Sequence, residues 1–130
     1  MFLRSIVRYI LVSLRLIQKP DFVSRTVSSH PTPEEIASGE IVIVGDETYR
    51  KWACFRCPGG CGEVILLSLN TSRRPSWKVI LDWLKRPTLD PSVRQLNECK
   101  CHFWVRKGRV EWCEDSGLSL GMSGTDNNTG

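Results

Sequence analysis

Six cysteines offer the most obvious chemistry in the sequence, and they fall into two groups with a single cysteine after them. They are Cys54, Cys57 and Cys61, then Cys99 and Cys101, and finally Cys113. The Cys57–Cys61 turn contains one proline and two glycines, which allow backbone amides to point at thiolate sulfurs, as in a zinc knuckle. Zinc binds four nitrogen or sulfur ligands in a tetrahedron, commonly two from each of two turns. The predicted ligands of a structural zinc ion are Cys57, Cys61, Cys99 and Cys101, with His102 or Cys113 as alternatives for the fourth position. The alternative is a group of buried free thiols that pack as small hydrophobic side chains.

A serine and a histidine lie ten positions apart between these cysteines. Ser92 belongs to a proline-rich segment predicted as a loop, and His102 opens an aromatic stretch that could exclude water. A serine nucleophile needs a base to take its proton, and histidine is the usual one. A carboxylate would then orient the imidazole. The candidates near in sequence are Glu63, Asp90, Glu111 and Asp115. A serine beside prolines is ordinarily only a turn residue, and His102 cannot be both a zinc ligand and a general base, so these interpretations compete.

The composition is that of one ordinary globular domain. The chain has 130 residues, of which 41% are hydrophobic and 25% charged. The formal net charge is +4, and the basic residues after position 50 are interspersed with acidic ones. A nucleic-acid-binding domain usually concentrates its Lys and Arg on one face. The charge distribution therefore favours no nucleic-acid partner.

The first nineteen residues bear on the cellular compartment. Arginines interrupt their apolar run, and the longest uncharged stretch is 9–14. A transmembrane helix needs about 20 apolar residues, and even a signal-peptide core is longer than this stretch. We therefore expect a cytoplasmic protein with reduced thiols, which favours metal binding over disulfides.

The same residues, 1–19, predict an amphipathic helix that ends at Pro20. Its apolar stripe is Leu3, Val7, Ile10, Leu14 and Ile17, and the basic residues outside the stripe are Arg4, Arg8, Arg15 and Lys19. The favoured interpretation is that this stripe packs on the domain or on a partner protein. A peripheral anchor on the inner membrane, with arginines facing the headgroups, is the second interpretation, and an amphipathic targeting peptide is the third.

The remaining chain divides into three predicted regions. Residues 20–39 are expected to form a polar linker and a short helix that begins at Thr32 with a capping box to Glu35. Residues 40–116 are expected to form the β-rich domain, and the Gly- and Ser-rich residues 117–130 a disordered tail. The predicted strands are 41–44, 49–56, 64–67, 78–83 (a strand or a short helix), 102–105 and 110–113, the last two paired around Lys107-Gly108. The predicted class is α+β, a small and mainly antiparallel β domain with a zinc-ribbon-like Cys-rich turn and an N-terminal amphipathic helix.

Three motifs in this order resemble a known family. They are Trp52-Ala-Cys-Phe-Arg-Cys-Pro-Gly-Gly-Cys-Gly-Glu63, Arg86-Pro-Thr-Leu-Asp-Pro-Ser-Val93, and Cys99-Lys-Cys-His-Phe-Trp-Val-Arg-Lys-Gly-Arg-Val-Glu-Trp-Cys113. The family comprises small bacterial proteins encoded in Bub operons, beside ubiquitin-like, E1-like and E2-like proteins. The resemblance covers residues 40–116, and the basic amphipathic N-terminus is also similar.

The resemblance implies a deubiquitinase-like serine peptidase that processes or removes a ubiquitin-like protein at its C-terminus. It implies Ser92 as nucleophile, His102 as base and Glu63 as the orienting carboxylate, with the E1-like and E2-like proteins as further partners. Cys57, Cys61 and Cys99 match family cysteines. Many family members carry a third cysteine where this chain has Gly59, so another cysteine must take its place if four thiolates bind zinc here.

Two other classes of protein fit the same residues. One is a non-enzymatic zinc-binding adaptor for a ubiquitin-like or E2-like partner, in which His102 completes a closed metal site. The other is a zinc-dependent hydrolase with Glu63 as its base. Zinc content combined with the activity of a Ser92→Ala variant distinguishes the three classes.

Overall fold

One helix and eight strands make up the secondary structure of residues 2–46, 48–96 and 99–117, the parts of the chain that the computed structural model describes. The helix α1 spans Phe2–Ser13, and a single 3-10 turn spans Pro33–Glu35. The strands are β1 (Val23–Val27), β2 (Glu40–Gly45), β3 (Arg50–Arg56), β4 (Val64–Ser68), β5 (Lys78–Leu81), β6 (Pro87–Arg94), β7 (His102–Arg106) and β8 (Arg109–Trp112).

The strands form two four-stranded sheets, each in chain order. The first sheet is β1-β2-β3-β4 and the second is β5-β6-β7-β8. Only the β1–β2 pair is parallel, and the other pairs are antiparallel. The predicted α+β class with a mainly antiparallel sheet is therefore confirmed.

The burial of strand β2 on both faces explains why its sequence is a continuous run of β-branched residues. Ile41 and Ile43 point into the core shared by the two sheets. Val42 and Val44 point to the opposite face of the first sheet, where Ile36 covers them. A strand that is buried on both faces has no polar face to alternate with, so the usual alternation is lost.

Aromatic side chains from both sheets meet in the shared core. The ring of Phe55 on β3 contacts Phe22 edge-on at a centroid distance of 5.3 Å and Phe103 on β7 at 6.4 Å. All three phenylalanines are almost completely buried. Edge-to-face pairs add to the stabilisation that apolar burial already gives. This row of rings therefore fixes the second sheet, which carries Ser92 and His102, against the first.

The segment predicted as a linker and short helix is more ordered than the sequence suggested. Residues 23–27 form the edge strand β1, in which Val23 lies opposite Glu40 and Val27 opposite Val44. Its polar residues do not predict a strand, because an edge strand buries little. The predicted helix at Thr32 is only one 3-10 turn, although the Glu35 carboxylate accepts the Thr32 backbone N–H at 2.9 Å as a capping box requires.

Helix α1 lies on the domain with its arginine side inward, so the expectation that its apolar stripe packs on the domain is wrong, while packing on a partner protein stays a prediction. Arg4 donates to the Trp83 carbonyl at 2.5 Å, and Arg8 donates to the Leu84 carbonyl at 2.9 Å. Leu3 and Ile10, which were expected to pack on the domain, are exposed. The reason is that the turn after β5 presents unpaired carbonyls, which guanidinium groups satisfy and leucine cannot. No helix in the described residues is long and apolar enough to cross a bilayer.

The second sheet ends in the predicted hairpin. Lys107 and Gly108 connect β7 to β8 with φ values of 47° and 79°. Two successive positive φ values suit the twist of a tight hairpin. Most of the predicted tail, residues 118–130, lies outside the described residues.

Candidate active site

Ser92 and His102 lie on adjacent strands of the second sheet, and their side chains meet. Val93 on β6 is the partner of Phe103 on β7, and Arg94 is the partner of His102. The register shifts between Leu89 and Val93, so Ser92 lies in an irregular stretch of β6. The Ser92 Oγ is 3.0 Å from the His102 Nε2. The prolines around the serine thus belong to a bulged strand and not to the predicted loop.

The backbone at Ser92 is held by a second contact. The indole N–H of Trp77, in the loop before β5, donates to the Ser92 carbonyl at 3.2 Å. A hydrogen bond from a partly buried side chain limits the motion of this irregular stretch. The Trp77 indole therefore helps to hold the backbone from which the Ser92 hydroxyl projects.

A carboxylate lies on the other side of the imidazole, and it belongs to Asp115. The Asp115 Oδ1 is 2.6 Å from the His102 Nδ1. After β8 the chain turns back over the start of β7: the Cys113 N–H donates to the His102 carbonyl at 2.9 Å, and the His102 N–H donates to the Ser116 Oγ at 3.0 Å. These bonds hold the aspartate beside the ring, which completes a continuous Ser92–His102–Asp115 array.

Arg94 contacts the same carboxylate, and its position bears on which ring nitrogen of His102 carries the proton. Its guanidinium donates to the Asp115 Oδ2, and one of its nitrogens is also 3.0 Å from the His102 Nδ1. A guanidinium can only donate, so Nδ1 cannot accept from Arg94 and donate to Asp115 at once. The shorter Asp115 distance favours a proton on Nδ1. Nε2 is then free to accept the hydroxyl proton of Ser92.

The charge of Asp115 is secured by its neighbours. The Arg94 guanidinium, together with the His102 ring, lowers the pKa of Asp115 to about 2. This carboxyl is therefore ionised at any pH at which the protein is expected to act. An ionised carboxylate beside Nδ1 stabilises the imidazolium that forms when the histidine takes a proton.

Glu63 does not lie at the histidine in the way that the resemblance implied. It directly precedes β4, and its backbone carbonyl accepts the Cys57 N–H at 2.9 Å. Its backbone amide lowers the pKa of the Cys61 thiol by hydrogen bonding to the sulfur. The two other candidate carboxylates also lie elsewhere: Glu111 pairs with Arg106, and Asp90 is the strand partner of Lys78. Among the described carboxylates, Asp115 is the one that contacts the imidazole.

The two groups of cysteines converge beside this array. Ligand atoms of Cys57, Cys61 and Cys99 all lie within 4.8 Å of one another. The Cys57 Sγ is 3.7 Å from that of Cys99 and 3.6 Å from that of Cys101, whereas the Cys99 and Cys101 sulfurs are 2.8 Å apart. A tetrahedron with zinc–sulfur bonds of about 2.3 Å puts its sulfurs about 3.8 Å apart. The two distances from Cys57 suit such a site, whereas the Cys101 sulfur does not lie within 4.8 Å of the Cys61 sulfur.

The surroundings of the cysteines fit a metal ion better than they fit free thiols. Burial is the main cause that raises the pKa of Cys57 and of Cys101 above the usual thiol value. The Gly59 N–H nevertheless points at the Cys57 sulfur at 3.3 Å, as it would towards a thiolate. All six cysteines are free of disulfides. Cys57 and Cys101 are buried, Cys99 is half-buried and Cys61 is exposed, and this cluster could hold a metal ion that would supply the positive charge that thiolates need.

A second trio of metal-binding side chains overlaps the array. Ligand atoms of His102, Cys113 and Asp115 also lie within 4.8 Å of one another. The guanidinium of Arg94, however, is hydrogen-bonded to Asp115 in the same space. A fixed positive charge disfavours a cation there, so the geometry suits a proton relay better than a metal.

A hydroxyl, an imidazole and a carboxylate hydrogen-bonded in this order are the groups with which serine hydrolases act. The family comparison agrees with this class. Residues 28–113 match the family model described as "Bacterial ubiquitination-like system serine protease (BubE)", and the chain belongs to this family. The resemblance to the Bub-operon peptidases is thereby confirmed. No curated protein and no solved structure matches the chain.

Proposed function

We propose that this protein is a deubiquitinase-like serine peptidase that cleaves at the C-terminus of a bacterial ubiquitin-like protein. The observation that carries the proposal is the contact of 3.0 Å between the Ser92 Oγ and the His102 Nε2, with Asp115 on the opposite ring nitrogen. Membership of a serine protease family in a ubiquitination-like system supports both the reaction and the substrate class. The E1-like and E2-like proteins of the same pathway are further proposed partners.

The reaction follows from the array. Ser92 Oγ attacks the scissile carbonyl carbon while His102 Nε2 takes the hydroxyl proton, and the carbonyl π bond becomes an oxyanion. Collapse of this intermediate expels the amine of the leaving group, which receives the proton from Nε2 and leaves an ester on Ser92. Water, deprotonated by the same nitrogen, then hydrolyses the ester and restores the serine.

Asp115 takes the orienting role in this proposal instead of Glu63. It stabilises the imidazolium at the moment when His102 holds the proton, and Arg94 keeps the carboxylate ionised and in place. Glu63 remains near the cysteine turn, where its backbone amide supports the Cys61 sulfur.

We further propose that Cys57, Cys61, Cys99 and Cys101 bind a structural zinc ion. A closed four-thiolate site supplies no reacting group, but it ties the Cys57–Cys61 turn to the residues just before β7. The position of Gly59 supports Cys101 as the fourth ligand, because a Cβ at residue 59 would lie 2.7 Å from the Cys101 Sγ. Many family members have a cysteine at position 59. The thiol of Cys101 occupies the space into which that side chain would point. We also propose that the protein acts in the reducing cytoplasm, where cysteine thiols stay available as metal ligands.

The proposal is tested by cleavage of the operon's ubiquitin-like protein fused at its C-terminus to a reporter. Ser92→Ala is expected to lower kcat/KM by about 10⁴-fold or more, because it removes the nucleophile. Ser72→Ala, in the exposed loop after β4, is the matched control and should leave the rate unchanged. A fluorophosphonate probe should label the wild-type protein at Ser92 and should not label Ser92→Ala.

Two outcomes would favour the other classes. Cleavage that persists in Ser92→Ala but is abolished by a chelator would point to a metal-dependent hydrolase. Absence of both cleavage and probe labelling in zinc-loaded wild-type protein, with zinc lost in His102→Ala, would point to the adaptor.

A further inference from the structure

We propose that the outward face of α1 binds the interface of an anionic lipid bilayer and holds the protein there peripherally. The starting observation is the orientation of this helix, which is opposite to that of a helix that completes a hydrophobic core. Its exposed positions are mainly apolar, and the arginines Arg4 and Arg8 lie against the domain.

The outward face is continuous along the helix. Leu3, Ile6 and Ile10 follow one another at helical spacing, and all three are exposed, Leu3 by 63%. Tyr9 lies on the same side and is 73% exposed. Leu14 and Leu16, just beyond the helix, are also exposed and extend the patch. A contiguous apolar patch of this kind on a protein surface marks an interaction site.

Aromatic residues at the rim of the patch suit the level of lipid headgroups. Trp83, in the turn on which α1 rests, is 55% exposed, and the Arg4 guanidinium stacks on its ring at 5.4 Å. Tyr9 offers a second amphipathic ring. Tryptophan and tyrosine are enriched at membrane–water interfaces, where the ring is half-buried and the polar atom stays hydrated.

The charge of the chain selects an anionic surface. Of 18 basic and 14 acidic residues in the sequence, residues 1–19 contain four basic ones and no acidic one, so the rest of the chain is neutral overall. Within residues 2–46, 48–96 and 99–117, none of these four side chains forms an ion pair with a carboxylate. Arg15 and Lys19 are exposed beside the apolar patch. An apolar face with an uncompensated positive charge next to it is complementary to a bilayer that contains anionic phospholipid.

The hydrogen bonds of Arg4 and Arg8 give α1 a fixed position before it meets the membrane. A helix that is already formed and docked does not lose the conformational entropy of folding at the surface. A short helix of this kind can therefore contribute to binding although it would be marginal in isolation.

The test is co-sedimentation of the full chain with vesicles of phosphatidylcholine, with and without about a third of phosphatidylglycerol. We expect about tenfold stronger binding to the anionic vesicles, since basic residues near the surface add to the apolar contribution. Ile6→Glu combined with Ile10→Glu should abolish binding. Arg15→Gln combined with Lys19→Gln should lower the preference for anionic vesicles by about tenfold.

The matched control is Leu66→Glu, which places a carboxylate at a half-exposed leucine of β4 in the other sheet and should leave vesicle binding unchanged. Circular dichroism and the thermal midpoint of each variant show that the domain is folded, since α1 lies outside the shared core. Failure of the wild-type protein to bind anionic vesicles would overturn the proposal, as would full binding by the Ile6→Glu/Ile10→Glu variant. A wild-type dimer that this variant converts to a monomer would show that a second copy covers the face instead.

Discussion

At the scale of single residues, the carboxylate that contacts His102 shows what the sequence could and could not predict. The family motifs indicated Ser92 and His102, and the Ser92 Oγ lies 3.0 Å from the His102 Nε2. Asp115 was one of four candidates that the sequence could not rank, and the motif resemblance pointed to Glu63. The choice depends on a turn after β8 that folds back on β7, and this contact is formed by backbone hydrogen bonds that leave no residue pattern.

Substitution of the two carboxylates, Asp115 and Glu63, is expected to affect the cleavage rate differently. Asp115→Asn should lower kcat/KM by about 10³- to 10⁴-fold, because an amide can stabilise the wrong tautomer and cannot stabilise the imidazolium. Glu63→Gln should change the rate by less than about threefold, since only the backbone of Glu63 has a contact with the cysteine cluster. Both rates are measured with the same fusion substrate and compared at equal zinc content. A large loss in Glu63→Gln with normal activity in Asp115→Asn would reverse the assignment.

The pKa of Asp115 also has a pH consequence. A carboxyl whose pKa is lower in the folded protein than in the unfolded chain stabilises the fold above the unfolded pKa. That contribution is lost as the pH falls towards the folded pKa, here about 2. The array should therefore keep its carboxylate charge throughout the mildly acidic range.

At the scale of elements, the patterns of apolar residues predicted most strands well. They did not predict the strand that contains prolines or the polar edge strand. The run of β-branched residues predicted β2, and the aromatic stretch with its Lys107-Gly108 turn predicted the β7–β8 hairpin. The sequence did not predict β6, because Pro87 and Pro91 are typical of loops and a sequence does not show that the first position of a strand and a bulge can accommodate them. β1 was missed because an edge strand keeps polar residues.

The cysteine turn and the segment before β7 allow a test of ligand substitution. Cys101→Ala should lower bound zinc below one equivalent per chain, because it removes a ligand of the proposed site. Gly59→Cys in the Cys101→Ala background should restore it, since the new thiol occupies the space that the Cys101 sulfur vacates. Zinc is measured by atomic absorption after dialysis. Gly59→Cys alone is the control, and it should be less stable because its Cβ would meet the Cys101 sulfur at 2.7 Å.

A Cys101→Ala protein that keeps a full equivalent of zinc would rule out Cys101 as a ligand. Loss of zinc in Cys113→Ala or His102→Ala would then identify the fourth ligand among the alternatives that the spacing left open.

At the scale of the whole molecule, the shared core determines whether the array exists at all. The ring of Phe55 on β3 contacts Phe22, just before β1, and Phe103 on β7 of the second sheet. Phe55→Ala should lower the free energy of unfolding by about 3 to 5 kcal/mol, because it removes a fully buried ring from the centre of that row. Leu66→Ala, a half-exposed residue opposite β3 on the neighbouring strand, should cost less than about 1 kcal/mol. Urea unfolding with saturating zinc measures both, and equal effects would show that the row of rings does not connect the sheets energetically.

The orientation of α1 is the feature of the whole molecule that periodicity could not predict. The helix ends at Ser13 and not at the predicted Pro20, and its amphipathic pattern does not state which face meets the domain. That outcome depends on unpaired carbonyls in the turn after β5, far away in sequence, to which Arg4 and Arg8 donate. Hydrogen bonds from arginines thus hold α1 on the domain, where apolar contacts usually hold an amphipathic helix.

The proposed nucleophile, base and carboxylate all come from one continuous stretch, positions 92 to 115, on β6, β7 and the turn after β8. Loops between near neighbours in sequence close at little cost in chain entropy, so this stretch forms a nearly self-contained unit. The first sheet reaches it through the shared core and through Cys57 and Cys61. In evolution, the outward surface of the first sheet can therefore change while the proposed reacting atoms keep their arrangement.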